Sequence, residues 1–315
     1  GTKMLFVRSR LEILYWGRMR PYLPWLRDWL FTCELHDLPG SGTESGENGR
    51  TAGRRARMAR ALRGYDLVIA VNQALAADLD DLTGGAVRAQ VLPLCSGLPR
   101  LDAPPAASSP TDRVVIGYFG TVDRNHGVET ALQALERLPD RFVLRLTGRV
   151  REDVRAGVES AARTGRLEVR GPVPYAQMAA EIDACQIALV PAGDTVHATR
   201  YRSPLKIFDA MLRGKPILAA DVPCHRELLR PGETALFFRN GDPADLAAQA
   251  LALAAHPRQM EALARSAWEA SSETTYPARA RALLALAEAA GTHKRRRKTV
   301  HEPAAEADSV RQPHR

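Results

Sequence analysis

The sequence predicts an α/β protein built from two doubly wound parallel sheets, and three observations carry that prediction. Short β-rich apolar runs alternate with stretches of helical periodicity almost throughout. Single helices separate the strands, which demands right-handed βαβ crossovers and strands running parallel. The length of 315 residues suits two domains, and a stretch rich in Pro, Ala and Ser interrupts the alternation about a third of the way along.

The first candidate strands are Met4 to Val7, Phe31 to Leu35, Leu67 to Val71 and Gln90 to Leu92, with helices between them. They assign residues 1–98 to an N-terminal domain. Residues 99–112, with Pro99, Pro104, Pro105 and Pro110, read as a linker. From 113 the pattern sharpens. Val114 to Phe119 is a buried strand closed by Gly120, and Val128, Ala131, Leu132, Leu135 and Leu138 share one face of a helix over 126–138. Strands at Phe142 to Thr147, Leu167 to Val169, Ile187 to Val190, 216–220 and 235–238 follow. Helices at 151–164, 175–183 and 204–213 and a helical turn at 224–229 separate them. Ala-rich helices at 243–255, 257–270 and 277–290 complete a C-terminal domain of residues 113–290. Residues 291–315, with the run Lys294-Arg295-Arg296-Arg297-Lys298, lack apolar periodicity and read as a disordered basic tail.

Composition excludes several classes. With 45% hydrophobic residues, 25% charged and a mean hydropathy of −0.25, the chain is neither disordered overall nor an integral membrane protein. No stretch approaches the roughly 18 apolar residues that a spanning helix needs. The net charge of +8 is concentrated at the two ends: residues 1–63 carry +6, 64–290 carry −2 and 291–315 carry +4. That distribution argues against a nucleic-acid partner, which would draw positive charge through the body of the fold. Cys33, Cys95, Cys185 and Cys224 show no paired spacing, so neither a disulfide framework nor a zinc site is expected, and a reducing cytoplasm is the plain reading.

The segment Arg200-Tyr201-Arg202-Ser203-Pro204-Leu205-Lys206-Ile207-Phe208-Asp209-Ala210-Met211 is the most informative. Ser203 is a candidate N-cap with Pro204 at the first helical position, and Gly214 followed by Lys215-Pro216 is a stop. Lys206 then lies in the first turn, where the helix dipole disfavours a cation by about 0.3–1 kcal/mol. An anion bound there would reverse the sign, since N–H groups, dipole and the cations Lys206, Arg202 and Arg200 would all favour it. Asp209, one turn deeper on the same face, suits the vicinal hydroxyls of a ribose behind a bound diphosphate. Among 39 arginines and 5 lysines, Lys206 and Lys215 are the two lysines between 64 and 290. A solvated helix end with stray charges is the competing reading.

This run, followed by Gly214-Lys215-Pro216-Ile217-Leu218-Ala219, resembles the donor-binding signature of family-4 retaining glycosyltransferases of the GT-B fold, which pairs two Rossmann-like domains. Gly117-Tyr118-Phe119-Gly120-Thr121 with His126-Gly127-Val128, Gly171-Pro172-Val173-Pro174, Gly232-Glu233-Thr234-Ala235-Leu236 and Asn240-Gly241-Asp242 resemble further family elements in order. Upstream, Cys33-Glu34-Leu35-His36-Asp37 and Asp66-Leu67-Val68-Ile69-Ala70-Val71 resemble late parts of the family's N-terminal domain, so the resemblance covers about residues 3–255.

The resemblance implies transfer of a sugar from a UDP- or GDP-linked donor to a glycan or lipid-linked acceptor, with retention and without a metal or other cofactor. Asp209 matches the ribose-binding second acid of the family's Glu-x7-Glu motif, while the first acid falls at Tyr201 and is absent. The family's phosphate-binding Arg and Lys fall near Thr121 and His126, both departures, so Lys206, Ser203, the loop at Gly120 and Arg124 or Arg202 are expected to supply the diphosphate site. Val173 and Pro174 match the nucleobase side, and His36 the catalytic-site histidine that reaches the donor sugar. A nucleotide-sugar epimerase and a non-catalytic nucleotide-sugar-binding remnant stand as alternatives. No Gly-rich loop precedes Met4, so the N-terminal domain is expected to lack its first βαβ portion.

Tyr15, Trp16, Trp25 and Trp29 interleave with Arg18, Arg20 and Arg27, and Arg54, Arg55, Arg57, Arg60 and Arg63 follow. Two readings stand: an aromatic face buried under an Arg-rich helix, or a contact with anionic lipid at the inner face of the membrane.

Overall fold

The computed structural model describes residues 3–41, 49–105 and 112–301. Its N-terminal sheet holds β1 (Met4–Val7), β2 (Leu30–Leu35), β3 (Leu67–Ala70) and β4 (Gln90–Val91), all parallel and in that order. The helices α1 (Arg10–Met19), α2 (Gly49–Leu62) and α3 (Gln73–Thr83) cover one face. Alternation along β2 sets the two faces: Phe31, Cys33 and Leu35 pack with Ile13, Met58, Leu62, Leu75 and Leu79, whereas Leu30 faces the other way. The second sheet holds β5 (Val114–Phe119), β6 (Phe142–Thr147), β7 (Leu167–Gly171), β8 (Ile187–Val190), β9 (Ile217–Asp221) and β10 (Leu236–Arg239) in the order β10-β9-β8-β5-β6-β7. Two parallel-sheet α/β domains are therefore present, as the alternating pattern predicts; the second winds both ways from β5, whereas the first runs one way from β1 to β4.

In the second domain α4 (Val128–Arg137), α5 (Glu152–Ala162) and α9 (Pro243–Ala255) cover the face bearing Val114, Ile116 and Tyr118. The opposite face, bearing Val115 and Phe119, is covered by α6 (Tyr175–Asp183), α7 (Leu205–Leu212) and α10 (Pro257–Ala270). A short α8 (Pro223–Arg226) follows β9. The chain builds outward from β5 to β7, then returns to lay β8 on the other side of β5. This reversal between β5 and β8 opens a crevice at their carboxyl ends, the place where such sheets bind ligands.

The C-terminal helix corrects two sequence expectations. It runs as α11 from Tyr276 to His301, straight through Gly291, so residues 291–301 are helix rather than a disordered tail. The remainder of that predicted tail, 302–315, lies outside the described residues, as do 106–111 of the predicted linker. Nor does α11 complete the C-terminal domain. It crosses back to the N-terminal sheet, where Leu283, Leu286, Ala287 and Ala290 close the second face over Leu30, Leu67 and Ile69. Lys294 donates to Trp29 O at 2.5 Å and to Asp66 Oδ2 at 3.0 Å, so one residue of the basic run is docked.

Candidate active site

The carboxyl ends of both sheets face one another. From the C-terminal domain, a single π-helical turn at His197–Tyr201 enters the junction. The His197 N–H donates to Ser41 O at 2.8 Å, and Asn72 Nδ2 donates to Arg200 O at 2.8 Å. Glu227 accepts from the N–H groups of Gln73 and Ala74 at the start of α3, at 2.7 and 3.2 Å. Tyr201 is buried in the N-terminal core and its hydroxyl donates to Asp78, which also accepts from Arg200 at 3.0 Å. The position that lacks the expected acid thus carries an aromatic that pins the two domains together.

Next to this clasp α7 carries Lys206. Its helix starts one residue later than expected: Pro204 is the N-cap, and Ser203 Oγ instead accepts from the Leu94 N–H at 3.1 Å. The correction has a local cause, because Ser203 is buried and Leu94 belongs to the chain crossing between domains. At the other end Gly214, at φ +54°, closes the helix with bonds from its N–H to Met211 O and from the Lys215 N–H to Ala210 O. Ile207, Phe208, Ala210, Met211 and Leu212 are buried, which fixes the helix rigidly on the sheet.

The Lys206 ammonium is buried 4.0 Å from the centroid of the Tyr118 ring, and among the described residues no hydrogen-bond partner meets it. Tyr118 is the penultimate residue of β5, so the charge stands near the carboxyl ends of β5 and β8. Burial and the neighbouring Arg202 push its pKa down to about 7, against the opposing pull of Asp123 and Asp209. Arg202 donates to Asn125 O at 3.3 Å. His126 Nδ1 lies 2.5 Å from Asp123 Oδ1, and burial together with Lys206 and Arg202 lowers its pKa to about 4. His126 is neutral at pH 7, so the positive charge of this pocket comes from Arg202 and from the protonated form of Lys206.

The loops that carry these groups are tightly set. Gly148 follows β6, and a Cβ there would sit 1.8 Å from Gly120 O. Gly127, at φ +71°, backs onto Ala192 O, where a Cβ would come within 2.4 Å. A cavity of about 540 Å³ lies beside Asp123 and Asn125, lined also by Arg149, Arg151 and Arg155. Among the described residues no group of three His, Cys, Asp or Glu side chains is placed to hold a metal ion.

Residues 124–285 match a family model described as glycosyl transferase-like, just over half of the chain. The chain belongs to this family. It is a glycosyltransferase, and its two parallel-sheet domains match solved structures of that fold. Sucrose-phosphate synthase from Thermosynechococcus elongatus superposes with a TM-score of 0.71 at 19% identity, over 94% of this chain and 74% of that one. Anabaena HepE in complex with UDP gives 0.66 at 16%, over 95% and 79%. A UDP-forming α,α-trehalose-phosphate synthase from Burkholderia xenovorans gives 0.68 at 12%, over 91% and 74%. No curated protein matches the chain in sequence.

The fold of the glycosyltransferase brings Lys206, Arg202, His126 and the Gly120–Thr121 loop to one crevice, but not Arg124. The Arg124 guanidinium instead pairs with Glu129 Oε1 at 3.1 and 3.2 Å on the outer side of the loop. Asp209 is buried, and its Oδ1 accepts from Ser96 Oγ at 2.5 Å and from the Tyr175 hydroxyl at 3.1 Å. Burial raises its pKa against those two hydrogen bonds and the charge of Lys206. Val173 and Pro174 lead into α6, so Tyr175 links the expected nucleobase side to Asp209. His36 leaves the end of β2; its Nε2 donates to Glu34 Oε1 at 2.8 Å, and Arg8 Nη2 lies 3.1 Å from the same nitrogen. Glu34 is fully buried and also receives Arg279 of α11 at 2.5 Å.

Sequence reasoning missed Glu34, Arg279, Tyr175 and His197. Tyr175 and Glu34 were legible as neighbours of Pro174 and His36. His197 and Arg279 had no such signal, since only the tertiary fold delivers them to the junction.

Proposed function

We propose that this glycosyltransferase moves a sugar from a nucleotide-sugar donor to a hydroxyl of a glycan or lipid-linked acceptor, retaining the anomeric configuration and using no metal. One observation carries the reading: the buried, unpartnered ammonium of Lys206 over the crevice at the carboxyl ends of β5 and β8. A buried cation with no carboxylate in direct contact is costly unless a ligand supplies the opposite charge. A leaving diphosphate gathers negative charge as the glycosidic bond breaks, and fixed cations aimed at it stabilise that transition state. Lys206 and Arg202 take that part here beside the Gly120–Thr121 loop, while the Ser203 hydroxyl is engaged by the Leu94 N–H instead. Asp209 Oδ2, which is not the atom engaged by Ser96 and Tyr175, holds the ribose, and Val173 and Pro174 border the base. His36, oriented by Glu34, reaches the sugar from the N-terminal domain, and the leaving phosphate deprotonates the acceptor. UDP is the first base to test, because the HepE structures contain UDP and UDP-glucose.

Calorimetric titration with UDP, GDP and ADP tests the assignment. One nucleotide is expected to bind, and Asp209→Ala to weaken it by about 10–100-fold through loss of hydrogen bonds to a charged acceptor. Equal binding by wild type and Asp209→Ala would remove the ribose role.

A peripheral contact with anionic lipid is the second part of the proposal. No helix among the described residues is long and apolar enough to cross a membrane. Trp16 and Trp29 pack partly against the N-terminal core, which removes them from the surface reading. Leu11, Tyr15, Tyr22 and Trp25 are exposed and follow one another at spacings of 4, 7 and 3 residues along α1 and the turns after it. Beside them α2 carries five arginines and no acid. Cosedimentation with phosphatidylserine-containing vesicles should fall at least several-fold in Arg54→Ala/Arg57→Ala/Arg60→Ala and in Trp25→Ala, at about 1 kcal/mol per interfacial Arg. Unchanged cosedimentation of both variants would end this part of the reading.

A further inference from the structure

Six buried side-chain polar atoms lack a hydrogen-bond partner among the described residues, and three belong to elements that meet at the domain junction: Lys206 Nζ, His197 Nδ1 and Ser41 Oγ. Lys206 is accounted for by the diphosphate. The other two stand on opposite domains, in residues already joined by the bond from the His197 N–H to Ser41 O. Buried polar atoms are nearly always paired, so two orphans in bonded residues mark a place where a polar ligand or water belongs.

We propose that His197 and Ser41 form the subsite for the sugar of the donor, each offering a neutral hydrogen-bonding atom to a hydroxyl of the transferred hexose. The inference rests on the diphosphate reading of Lys206 and Arg202. Position supports it. Arg202 immediately follows the π turn that His197 opens, while Ser41 lies five residues beyond His36 on the loop after β2. The electrostatic neighbours of His197 are Arg202 on its own domain and Asp37, Arg10 and His36 on the other. A sugar attached to a diphosphate at Lys206 and Arg202, and met by His36 from across the junction, passes the intervening His197.

Chemistry supports it as well. A hexose is uncharged, and each hydroxyl both donates and accepts. Burial and Arg202 lower the His197 pKa, which favours the uncharged imidazole. Its Nδ1 donates or accepts according to tautomer, and a serine hydroxyl does both. Such groups match a sugar, whereas a phosphate would be met by cations. The π turn supplies the geometry: His197 opens it at the junction, with its N–H on Ser41 O and the turn's end leading directly to Arg202.

The test compares the affinity for UDP-glucose with that for UDP, using GDP-mannose and GDP instead if the wild type binds only guanine nucleotides. Lys206→Met should weaken both members of the pair alike. His197→Ala should lower the ratio of nucleotide-sugar to nucleotide affinity by about 10-fold, and Ser41→Ala by about 3-fold or more, as expected for one lost hydrogen bond each. His197→Asn, which keeps a polar atom near the place of Nδ1, should restore part of the ratio and guards against misfolding of the alanine variant. An unchanged ratio in both His197 variants and in Ser41→Ala overturns the sugar subsite. Wild-type protein that binds neither nucleotide overturns the diphosphate reading, and the subsite with it.

Discussion

Lys206→Met is expected to weaken nucleotide binding at least about 100-fold and to make the folded protein more stable. The two effects have one cause. The ammonium is buried over the face of Tyr118 with no hydrogen-bond partner among the described residues, and burial with Arg202 lowers its pKa from 10.5 to about 7. The unfolded chain therefore binds more protons than the native one between about pH 7 and 10.5, so this residue destabilises the protein most below pH 7. Wild-type stability should rise with pH across that window, and the Met variant should lose this slope. A methionine fills a similar volume and keeps a favourable contact with the ring. Its gain below pH 7 is about 1–3 kcal/mol, or roughly 2–8 °C in Tm. Binding moves the other way. A diphosphate restores the charged form, so UDP should bind with proton uptake above pH 7, and its affinity should fall by up to about tenfold per pH unit there. Loss of the charge-assisted contact should cost at least about 100-fold in affinity. Titration in buffers of different ionisation enthalpy reads the proton uptake, and thermal melts at pH 6 and 9 read the stability. A Met variant that binds UDP like the wild type would show that the crevice serves another purpose.

Why Lys206 could be singled out in the sequence, and His197 could not, is a matter of what each signal depends on. Helix boundaries follow local chemistry, so a lysine in a first turn stands out against the dipole before any packing is known. The strands were equally legible: Val114, Ile116 and Tyr118 alternate with Val115 and Phe119, and each set is buried against a different helical layer. What escaped is tertiary. Ser203 fits an N-cap by composition, yet the crossing segment claims its hydroxyl for Leu94. Gly291 looks like a helix stop, but it is buried within α11, where docking on the N-terminal sheet outweighs a glycine penalty of about 1 kcal/mol. Periodicity shows that a helix has an apolar face and not which sheet will receive it. For the same reason the 277–290 helix was assigned to the neighbouring domain in sequence, and its Arg279 could not be connected with Glu34.

That connection yields the second large effect: Glu34→Ala should destabilise the protein by about 3–5 kcal/mol, the usual consequence of leaving a buried cation unpaired. Glu34 is fully buried, and Arg279 reaches its Oε2 at 2.5 Å while also donating to Pro93 O at 2.7 Å. Arg8 and His36 hold the other oxygen at 3.0 and 2.8 Å. Burial alone would raise the carboxyl pKa, but hydrogen bonds from His36 and Arg279 and the charges of Arg279 and Arg8 outweigh it and bring the value to about 2. A carboxylate with a depressed pKa contributes its full stability above the unfolded value of 4.5 and loses it as pH falls from there toward 2. Wild type should therefore show a steep loss of stability over that window, and Glu34→Gln a shallower one. The amide keeps the shape and one acceptor, so it should cost less than the alanine variant at pH 7. Activity distinguishes a merely structural role from a positioning one. If Glu34 fixes the ring of His36 against the sugar, Glu34→Gln should lower kcat at 20 °C, where the variant is fully folded, and Arg279→Lys should not do so to the same degree, because His36 keeps its carboxylate. Equal losses in the two variants would mean that the cluster simply ties α11 to the N-terminal sheet and leaves His36 to be oriented by Arg8 alone.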